Sequence, residues 1–378
     1  MSAEGYGKRL LDEVKEVGLD ELLRTLRNLH TPRKLDHIGL PALDQILNVF
    51  LQPPPRERPQ WESPAQTPAV TAKKKVDPPP VVEIAGATPC SGKTQLLYHF
   101  AMLSLLPESH GGKGGAVVWL DTDNRFSIHR LQTMLSSHLA HSFNEPPAQA
   151  TLNALLQNIH IFQPQSTPSL LATLAQLPTY LLNPTLHSSG PLRLQTLIIS
   201  NLSAFFHQDH LDSDLDNLQS NSNSNQNTNT NTNSNALFLT RWRALVSSFR
   251  SIQRTFECTI MAGNWAFSLM QRPQGKMYLR PHLPSPWTQF CTLRLVVQRD
   301  GVNKFAPGMS VEEAMRDRKL REEAVEKSAF TCGVNFWGDV EWRGEGLEGV
   351  KRVENGGAFG FRIEEIGVRI LEREDEKA

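Results

Sequence analysis

Cysteine is scarce in this chain, and the four cysteines form no recognisable site. Cys90, Cys258, Cys291 and Cys332 lie far apart in the sequence and make no CxxC pair. This spacing is not that of a zinc site, and it gives no sign of a disulfide framework. We therefore expect reduced thiols, as in a protein of the cytosol or the nucleus.

Long apolar segments are also missing. Residues 1–23 carry charges throughout and contain no apolar core like that of a secretory signal peptide. No later apolar run approaches the length needed to span a bilayer. The sequence thus predicts a soluble, intracellular protein with no membrane partner.

Neither sign of charge is in excess, because 39 Lys and Arg residues balance 39 Asp and Glu residues. No global positive field therefore draws the protein to nucleic acid, and any such contact must come from a local patch. The 378 residues suffice for one or two domains with a full α/β core.

Composition divides the chain into four segments. An N-terminal helical segment, which either covers the edge of the core or docks on a partner chain, precedes a linker rich in proline and charge. A core of alternating strands and helices follows, interrupted by a tract of Asn, Ser and Thr that we expect to be disordered. A C-terminal helix and edge strands complete the chain. In order, the segments are residues 1–50, 51–80, 81–300 with the insertion at 219–236, and 301–378.

Five apolar β-type runs alternate with helical patterns in the core segment. This alternation predicts an α/β fold with a mostly parallel sheet and helices on both faces. Short β patterns near the C-terminus predict antiparallel strands at one edge of that sheet. Ligands of such sheets bind at the carboxyl ends of the strands. The five runs begin at residues 81, 116, 159, 194 and 259.

Residues 81–99, VVEIAGATPCSGKTQLLYH, have the strand, turn and helix pattern of a phosphate-binding P-loop. Backbone N–H groups of the turn and of the helix N-terminus would face an anion. Lys93 would supply positive charge to the phosphates, and the Thr94 hydroxyl is placed to hold Mg²⁺. The other candidate nucleotide-binding residues of the turn are Gly86, Thr88, Ser91 and Gly92.

The spacing of this P-loop departs from the usual pattern by one position. Counting back from Gly92, the first glycine of the pattern would fall at Ala87, and Gly86 lies one residue too early. Either Ala87 tolerates the turn or the loop carries one extra residue. A plain strand-to-helix turn without a ligand is the alternative interpretation.

The order of these pieces resembles the RecA-type recombinase ATPases, and within that family the eukaryotic recombinase paralogues. The resemblance covers residues 35–300 and implies a RecA-like P-loop ATPase core. It rests on the segments IGLPALDQIL, GKTQLLYHFAM, VVWLDTDNRFSIHRL, TLIISNLSAFF and IMAGNWAF.

The resemblance also assigns roles to single residues. Asp123 aligns with the family's catalytic glutamate, and its side chain is one methylene shorter, so that a misplaced water would cost about a hundredfold in rate. Ser200 stands where the family has a second acidic residue that supports Mg²⁺. Asn264 matches the polar sensor position, and Arg130 aligns with an arginine near the nucleotide base. We therefore expect ATP and Mg²⁺ binding with weak or absent DNA-dependent turnover.

In such paralogues the nucleotide pocket lies at a subunit interface. The resemblance implies a nuclear accessory of the main recombinase in homologous-recombination repair of DNA double-strand breaks. It further implies a hetero-oligomer with another recombinase paralogue and contact with single-stranded or branched DNA. An active DNA-dependent ATPase that exchanges strands is the alternative, and a small-molecule P-loop kinase is a more distant one.

Residues 268–287 show no regular pattern and are the candidate DNA contact. Positive and aromatic side chains interleaved in one loop could track a single strand by charge and stacking. An ordinary surface loop explains the composition equally well. The cations are Arg272, Lys276 and Arg280, and the interleaved side chains are Met277, Tyr278 and Trp287.

Overall fold

The structure is a computed structural model, and its description covers twelve segments of the chain. They are residues 38–51, 78–86, 88–143, 149–222, 230–266, 269–271, 277–280, 283–301, 308–326, 328–337, 346–364 and 367–371, together with Leu22 and Leu26. Most of the predicted N-terminal segment and nearly all of the predicted linker lie outside these residues.

Six parallel strands form one side of a nine-stranded sheet and reach its edge at β3, in the order β8-β1-β5-β4-β2-β3. The central strand β1 is fully buried, and its neighbours are apolar along most of their length. Such runs are typical of parallel strands covered on both faces. The strands are β1 (Val81–Gly86), β2 (Ala116–Leu120), β3 (Ile159–Phe162), β4 (Leu194–Ile199), β5 (Thr259–Trp265) and β8 (Leu293–Arg299).

Helices cover both faces of this sheet. On one face lie α1 (Pro41–Leu51), α2 (Lys93–Leu105), α3 (Ile128–Phe143) and α4 (Gln149–Leu156). On the other lie α5 (Thr167–Leu181), α7 (Thr230–Phe256) and the short α8 (Ser285–Thr288), with α6 (Phe206–Ser222) packed along α7. Alternate residues of β2 join the two hydrophobic clusters, Trp119 on the α2 side and Val118 on the α7 side.

Antiparallel strands extend the sheet beyond β8, in the order β9, β10, β11. A separate hairpin pairs β6 with β7. These elements are β6 (Leu269–Gln271), β7 (Met277–Leu279), α9 (Val311–Arg316), α10 (Arg318–Glu326), β9 (Phe330–Val334), α11 (Gly346–Arg352), β10 (Ala358–Glu364) and β11 (Gly367–Ile370). The predicted fold class, a RecA-like α/β core with antiparallel C-terminal strands, is confirmed.

The expectation of an irregular segment at 268–287 is wrong for its described part. This part contains β6, β7 and α8, with residues 272–276 outside the description. The hairpin is held because Asn335 exchanges two hydrogen bonds with the backbone of Leu279, at 3.0 and 2.8 Å.

The predicted insertion at 219–236 overlaps two helix ends. Helix α6 continues to Ser222 and α7 begins at Thr230, while residues 223–229 lie outside the described part. None of the described helices has the length and hydropathy of a membrane span.

Candidate functional site

A cavity of about 480 Å³ opens at the carboxyl ends of β1, β2, β4 and β5. We call it the P-loop cavity, because the turn between β1 and α2 forms one wall. This is the edge of a parallel sheet where ligands bind. Its lining residues are Pro89, Cys90, Ser91, Gly92, Lys93, Thr94, Gln95, Asp123, Arg125, Ser200, Asn201, Asn264, Trp265, Arg299, Val325, Phe330 and Ile363.

Two glycines let the P-loop fold tightly. Gly92, which precedes the first residue of α2, has a φ of 92°, and a Cβ there would lie 2.9 Å from Cδ1 of Phe330. A Cβ on Gly86 would lie 2.4 Å from the Ser91 hydroxyl oxygen and 3.1 Å from Nζ of Lys93. Gly86 therefore contacts the far end of the loop despite its early position. Cys90 adopts a φ of 57°, a left-handed conformation that is uncommon for a residue other than glycine.

The Lys93 ammonium lies inside this turn, and no carboxylate of the described segments is in hydrogen-bond contact with it. Its Nζ is 3.4 Å from the Ser91 hydroxyl oxygen and 4.1 Å from the centre of the Trp265 ring. Burial lowers the pKa of Lys93 to about 8, although the nearby Asp123 raises it. An ammonium held in this way is available to an anion that enters the cavity.

The two residues that depart from the family's acidic pattern contact each other. Ser200 donates its hydroxyl proton to Oδ1 of Asp123 at 2.6 Å, and its oxygen accepts from the backbone N–H of Thr122 at 3.0 Å. Asp121, by contrast, is fully buried and accepts from the backbone N–H groups of Arg125 and Phe126. Asp121 therefore holds the turn after β2, whereas Asp123 faces the cavity.

Asn264 lines the cavity at the end of β5, and the buried carboxylate of Glu83 holds its side chain. Its Nδ2 donates to Oε1 of Glu83 at 2.8 Å, and its buried Oδ1 has no hydrogen-bond partner in the described residues. Oε2 of Glu83 also accepts from Trp287 Nε1 at 3.1 Å and from the Cys291 thiol at 3.6 Å. Burial, followed by the charge of Glu83, raises the pKa of that thiol and keeps it a donor.

The antiparallel strands β9 and β10 border the cavity beside the start of α2. Phe330 of β9 stacks on Phe361 of β10 with ring centres 5.3 Å apart, and both rings lie against Gly92. Arg299, at the end of β8, donates to the Ser328 hydroxyl at 2.6 Å and to the carbonyl of Val325. The C-terminal segment therefore contributes directly to the shape of the site.

The remaining predicted nucleotide-binding residues lie at the edge of the site or beside it. Thr88 is exposed in the turn and does not line the cavity. Arg130 lies on α3 and donates to the Gln95 side chain at 2.8 Å and to the carbonyl of Glu364 at 2.9 Å. Its guanidinium thus links α3, α2 and β10, and its proximity to a nucleotide base stays a prediction.

Only one of the three candidate DNA-contacting cations lies within the described residues. Arg272 and Lys276 lie outside the described residues, and Arg280 is exposed after β7. The expectation that aromatic rings of this segment stack on bases is wrong for Tyr278 and Trp287, which are 8% and 0% exposed. Both rings are in the core, where Trp287 donates to Glu83.

Sequence reasoning missed three residues of the site. Glu83 carried a usable signal, because a single acid inside the apolar run VVEIAG must find partners when the strand is buried. Trp265 follows Asn264 directly, but its position over Lys93 depends on the turn geometry. Arg299 reaches the cavity through the strand order, which the sequence does not reveal.

Comparison with known proteins finds relatives that are named as DNA repair proteins. It is 26% identical to the DNA repair protein XRCC2 of Mus musculus over 249 residues, which are 65% of this chain and 81% of XRCC2. The chain resembles the RAD51 and RecA recombinase family. The predicted resemblance to the eukaryotic recombinase paralogues is thereby confirmed.

Two further relatives match over shorter lengths. The DNA repair and recombination protein RadA of Methanoculleus marisnigri is 30% identical over 120 residues, 32% of this chain and 35% of RadA. The DNA repair protein RAD51 homolog 3 of Cricetulus griseus is 29% identical over 235 residues, 59% of this chain and 56% of that protein. The matched segments thus cover about a third of RadA and just over half of RAD51 homolog 3. No family model matches the chain.

Proposed function

We propose that this protein binds ATP and acts in homologous-recombination repair of DNA double-strand breaks, as an accessory of the main recombinase. The carrying observation is that the P-loop cavity gathers Lys93, Thr94, Asp123 and Asn264 at the carboxyl edge of a RecA-like sheet. XRCC2, RadA and RAD51 homolog 3 are all named as DNA repair proteins. Those names support the repair role.

The chemistry of the cavity fits a triphosphate. The start of α2 presents backbone N–H groups next to Lys93, which forms no ion pair with the described residues, and both features favour a negative charge. Gly86 and Gly92 keep side-chain atoms out of the loop. Lys93 would hold the phosphate tail, and the Asn264 side chain lines the same cavity.

Mg²⁺ is the metal that this donor set would support. Thr94 supplies a hydroxyl at the cavity wall, and Asp123 supplies a carboxylate. Ser200 replaces the second acid by a neutral hydroxyl, which lowers the negative charge offered to a cation. No group of three or more His, Cys, Asp or Glu side chains among the described residues forms a metal site of its own.

Weak turnover follows from the same pair of residues. Asp123 is the only carboxylate among the described lining residues, and one of its oxygens accepts from Ser200 at 2.6 Å. A carboxylate engaged in this way is a poorer base for a water molecule. We infer that the protein works as a binding module, in the nucleus, in a hetero-oligomer with another recombinase paralogue.

A turnover assay separates this proposal from its alternative, an active DNA-dependent motor that exchanges strands. ATP hydrolysis is measured with and without single-stranded DNA, for the natural protein and for Asp123→Asn. We expect a slow rate that DNA does not increase, and a minor effect of the substitution. A fast, DNA-stimulated rate that Asp123→Asn abolishes would establish the motor instead.

A co-purification experiment tests the partner. The tagged protein is recovered from damaged cells in parallel with a Lys93→Ala variant, and the accompanying chains are identified by mass spectrometry. We expect a recombinase paralogue with the natural protein. Recovery of no recombinase-like chain would contradict the accessory role.

A further inference from the structure

A second concave surface lies on the α7 face of the sheet, away from the P-loop cavity. It is a groove of about 780 Å³ between the C-terminal half of α7 and the short helix α8. We call it the arginine groove. Helix α7 ends at Phe256, just before β5 begins at Thr259, so the groove approaches the amino ends of the parallel strands. The lining residues are Arg243, Val246, Ser247, Arg250, Ser251, Arg254, Thr255, Ser285, Pro286 and Gln289.

The positive side chains of the groove form one stripe along α7. Arg243, Arg250 and Arg254 are spaced by seven and four residues, which places them on one face of a helix. All three are exposed, and Ser247 and Ser251 lie between them on the same face. The stripe therefore alternates guanidinium and hydroxyl donors.

The groove arginines lack the acidic partners that neutralise another arginine of the same helix. Arg241 pairs with Asp209 at 3.6 Å and with Asp212 at 3.9 Å. In the described part of the chain no carboxylate pairs with Arg243 or Arg254, and the groove lining contains no acidic residue. A chain of zero net charge thus carries a local surface of strongly positive charge.

We propose that the arginine groove binds the sugar–phosphate backbone of duplex DNA. Arginine, serine and glutamine are among the donors that contact phosphate oxygens in protein–DNA interfaces, and the groove contains all three. Binding that depends on such contacts does not read the base sequence. This inference rests on the proposed role in DNA repair and assigns part of its DNA contact to the arginines of α7, beside which residues 268–287 contribute only Ser285 and Pro286.

The composition of the groove favours duplex DNA over two other ligands. Single strands are usually held by aromatic rings that stack on bases, and the described lining has no aromatic side chain. An acidic peptide would need apolar pockets for its anchoring side chains, and Val246 and Pro286 are the only apolar residues that line the groove's described part. Phosphates on a rigid backbone require neither feature.

Fluorescence anisotropy with a labelled DNA duplex tests the proposal on the full chain. The test variant is Arg243→Gln/Arg254→Gln, and Arg250 is kept because its guanidinium lies 5.4 Å from the Phe290 ring centre and packs there. The control, Arg316→Gln/Lys319→Gln, removes the same charge from exposed positions on α9 and α10. Melting temperatures confirm that both variants fold.

We expect the test variant to lose at least about tenfold in duplex affinity at low salt, and the control to lose little. The slope of log K against log salt should fall by about 2 units in the test variant only, since each phosphate contact contributes about 0.9. Equal losses in the two variants would overturn the groove as a DNA site. Competition by polyglutamate, at the same concentration of charges as the duplex, would also overturn the groove as a DNA site.

The outcomes also separate this inference from the proposed function. If the natural protein binds ATP but no duplex, the groove proposal fails and the nucleotide site stands. If the test variant alone loses duplex binding while the natural protein binds no ATP, the groove stands and the proposed ATP function fails.

Discussion

The Ser200 hydroxyl donates a hydrogen bond of 2.6 Å to the carboxylate of Asp123, across the carboxyl ends of β4 and β2. The same hydroxyl oxygen accepts from the backbone of Thr122. One neutral side chain therefore holds both the carboxylate and the turn that carries it. Ser200 carries no charge at the position of the second acid, and its hydrogen bond fixes the position of Asp123.

Replacement of Ser200 by Ala should destabilise the protein by about 1–3 kcal/mol, because the Thr122 N–H and an Asp123 oxygen lose their partner near the core. Urea unfolding measures this loss. Ser137→Ala on α3 is the control, and we expect it to change stability by less than about 0.5 kcal/mol. Equal stability of the two variants would show that the Ser200 hydrogen bonds do not hold the turn.

Nucleotide affinity should depend on pH through Lys93. Burial lowers the pKa of this ammonium to about 8 in the free protein. Below that pH the lysine is charged, so the affinity should be constant, and above it the affinity should fall as the proton is lost. Titration of a fluorescent ATP analogue between pH 7 and pH 9.5 measures the effect.

Lys93→Arg is the control for that titration. A guanidinium stays protonated over the whole range, so the affinity of this variant, even if lower, should not change with pH. A parallel fall in both proteins would assign the pH dependence to another group.

Replacement of Glu83 by Gln should cost about 2–4 kcal/mol of stability, because its new N–H₂ group would face the donor of either Asn264 or Trp287. The buried carboxylate accepts from both, and a carboxamide can accept from only one side. Urea unfolding is again the measurement. Glu312→Gln, on the exposed face of α9, should change little. A loss at Glu83 no greater than at Glu312 would contradict the network.

Gly92→Ala should be more damaging than Gly111→Ala. Both glycines have positive φ, 92° and 75°, so both variants bear a backbone strain of about 1–2 kcal/mol. A Cβ at Gly92 also meets Phe330 at 2.9 Å, whereas nothing lies within 4 Å of one at Gly111. We expect an extra loss of about 1–3 kcal/mol and weaker nucleotide binding. Thermal unfolding of the pair gives the difference, and equal losses would contradict the contact with β9.

The sequence alone predicted five of the six parallel strands and several residues that line the P-loop cavity. The apolar runs at β1, β2, β4 and β5 are long and regular, and Lys93, Asp123 and Asn264 follow directly from their ends. The partners of these residues were harder to predict. Glu83 and Trp287 are 204 positions apart, and their contact depends on β8 lying beside β1.

The errors at 268–287 have a similar cause. Aromatic and basic residues in one stretch gave a pattern typical of an exposed nucleic-acid loop. Tyr278 instead packs into the interior, because the hairpin is pinned by Asn335, a residue of the distant C-terminal segment. Trp287 is also buried, and its indole N–H donates to Glu83 of β1. Local composition carries no information on such a contact.

The most direct measurement is calorimetric titration of the full chain with Mg·ATP, for the natural protein, Lys93→Ala and the exposed control Lys319→Ala. We expect saturable binding to the natural protein and to the control, and an affinity at least about tenfold lower, or about 1.4 kcal/mol, for Lys93→Ala. Absence of binding to the natural protein, or equal affinity in all three, would contradict the central claim that the P-loop cavity holds a nucleoside triphosphate.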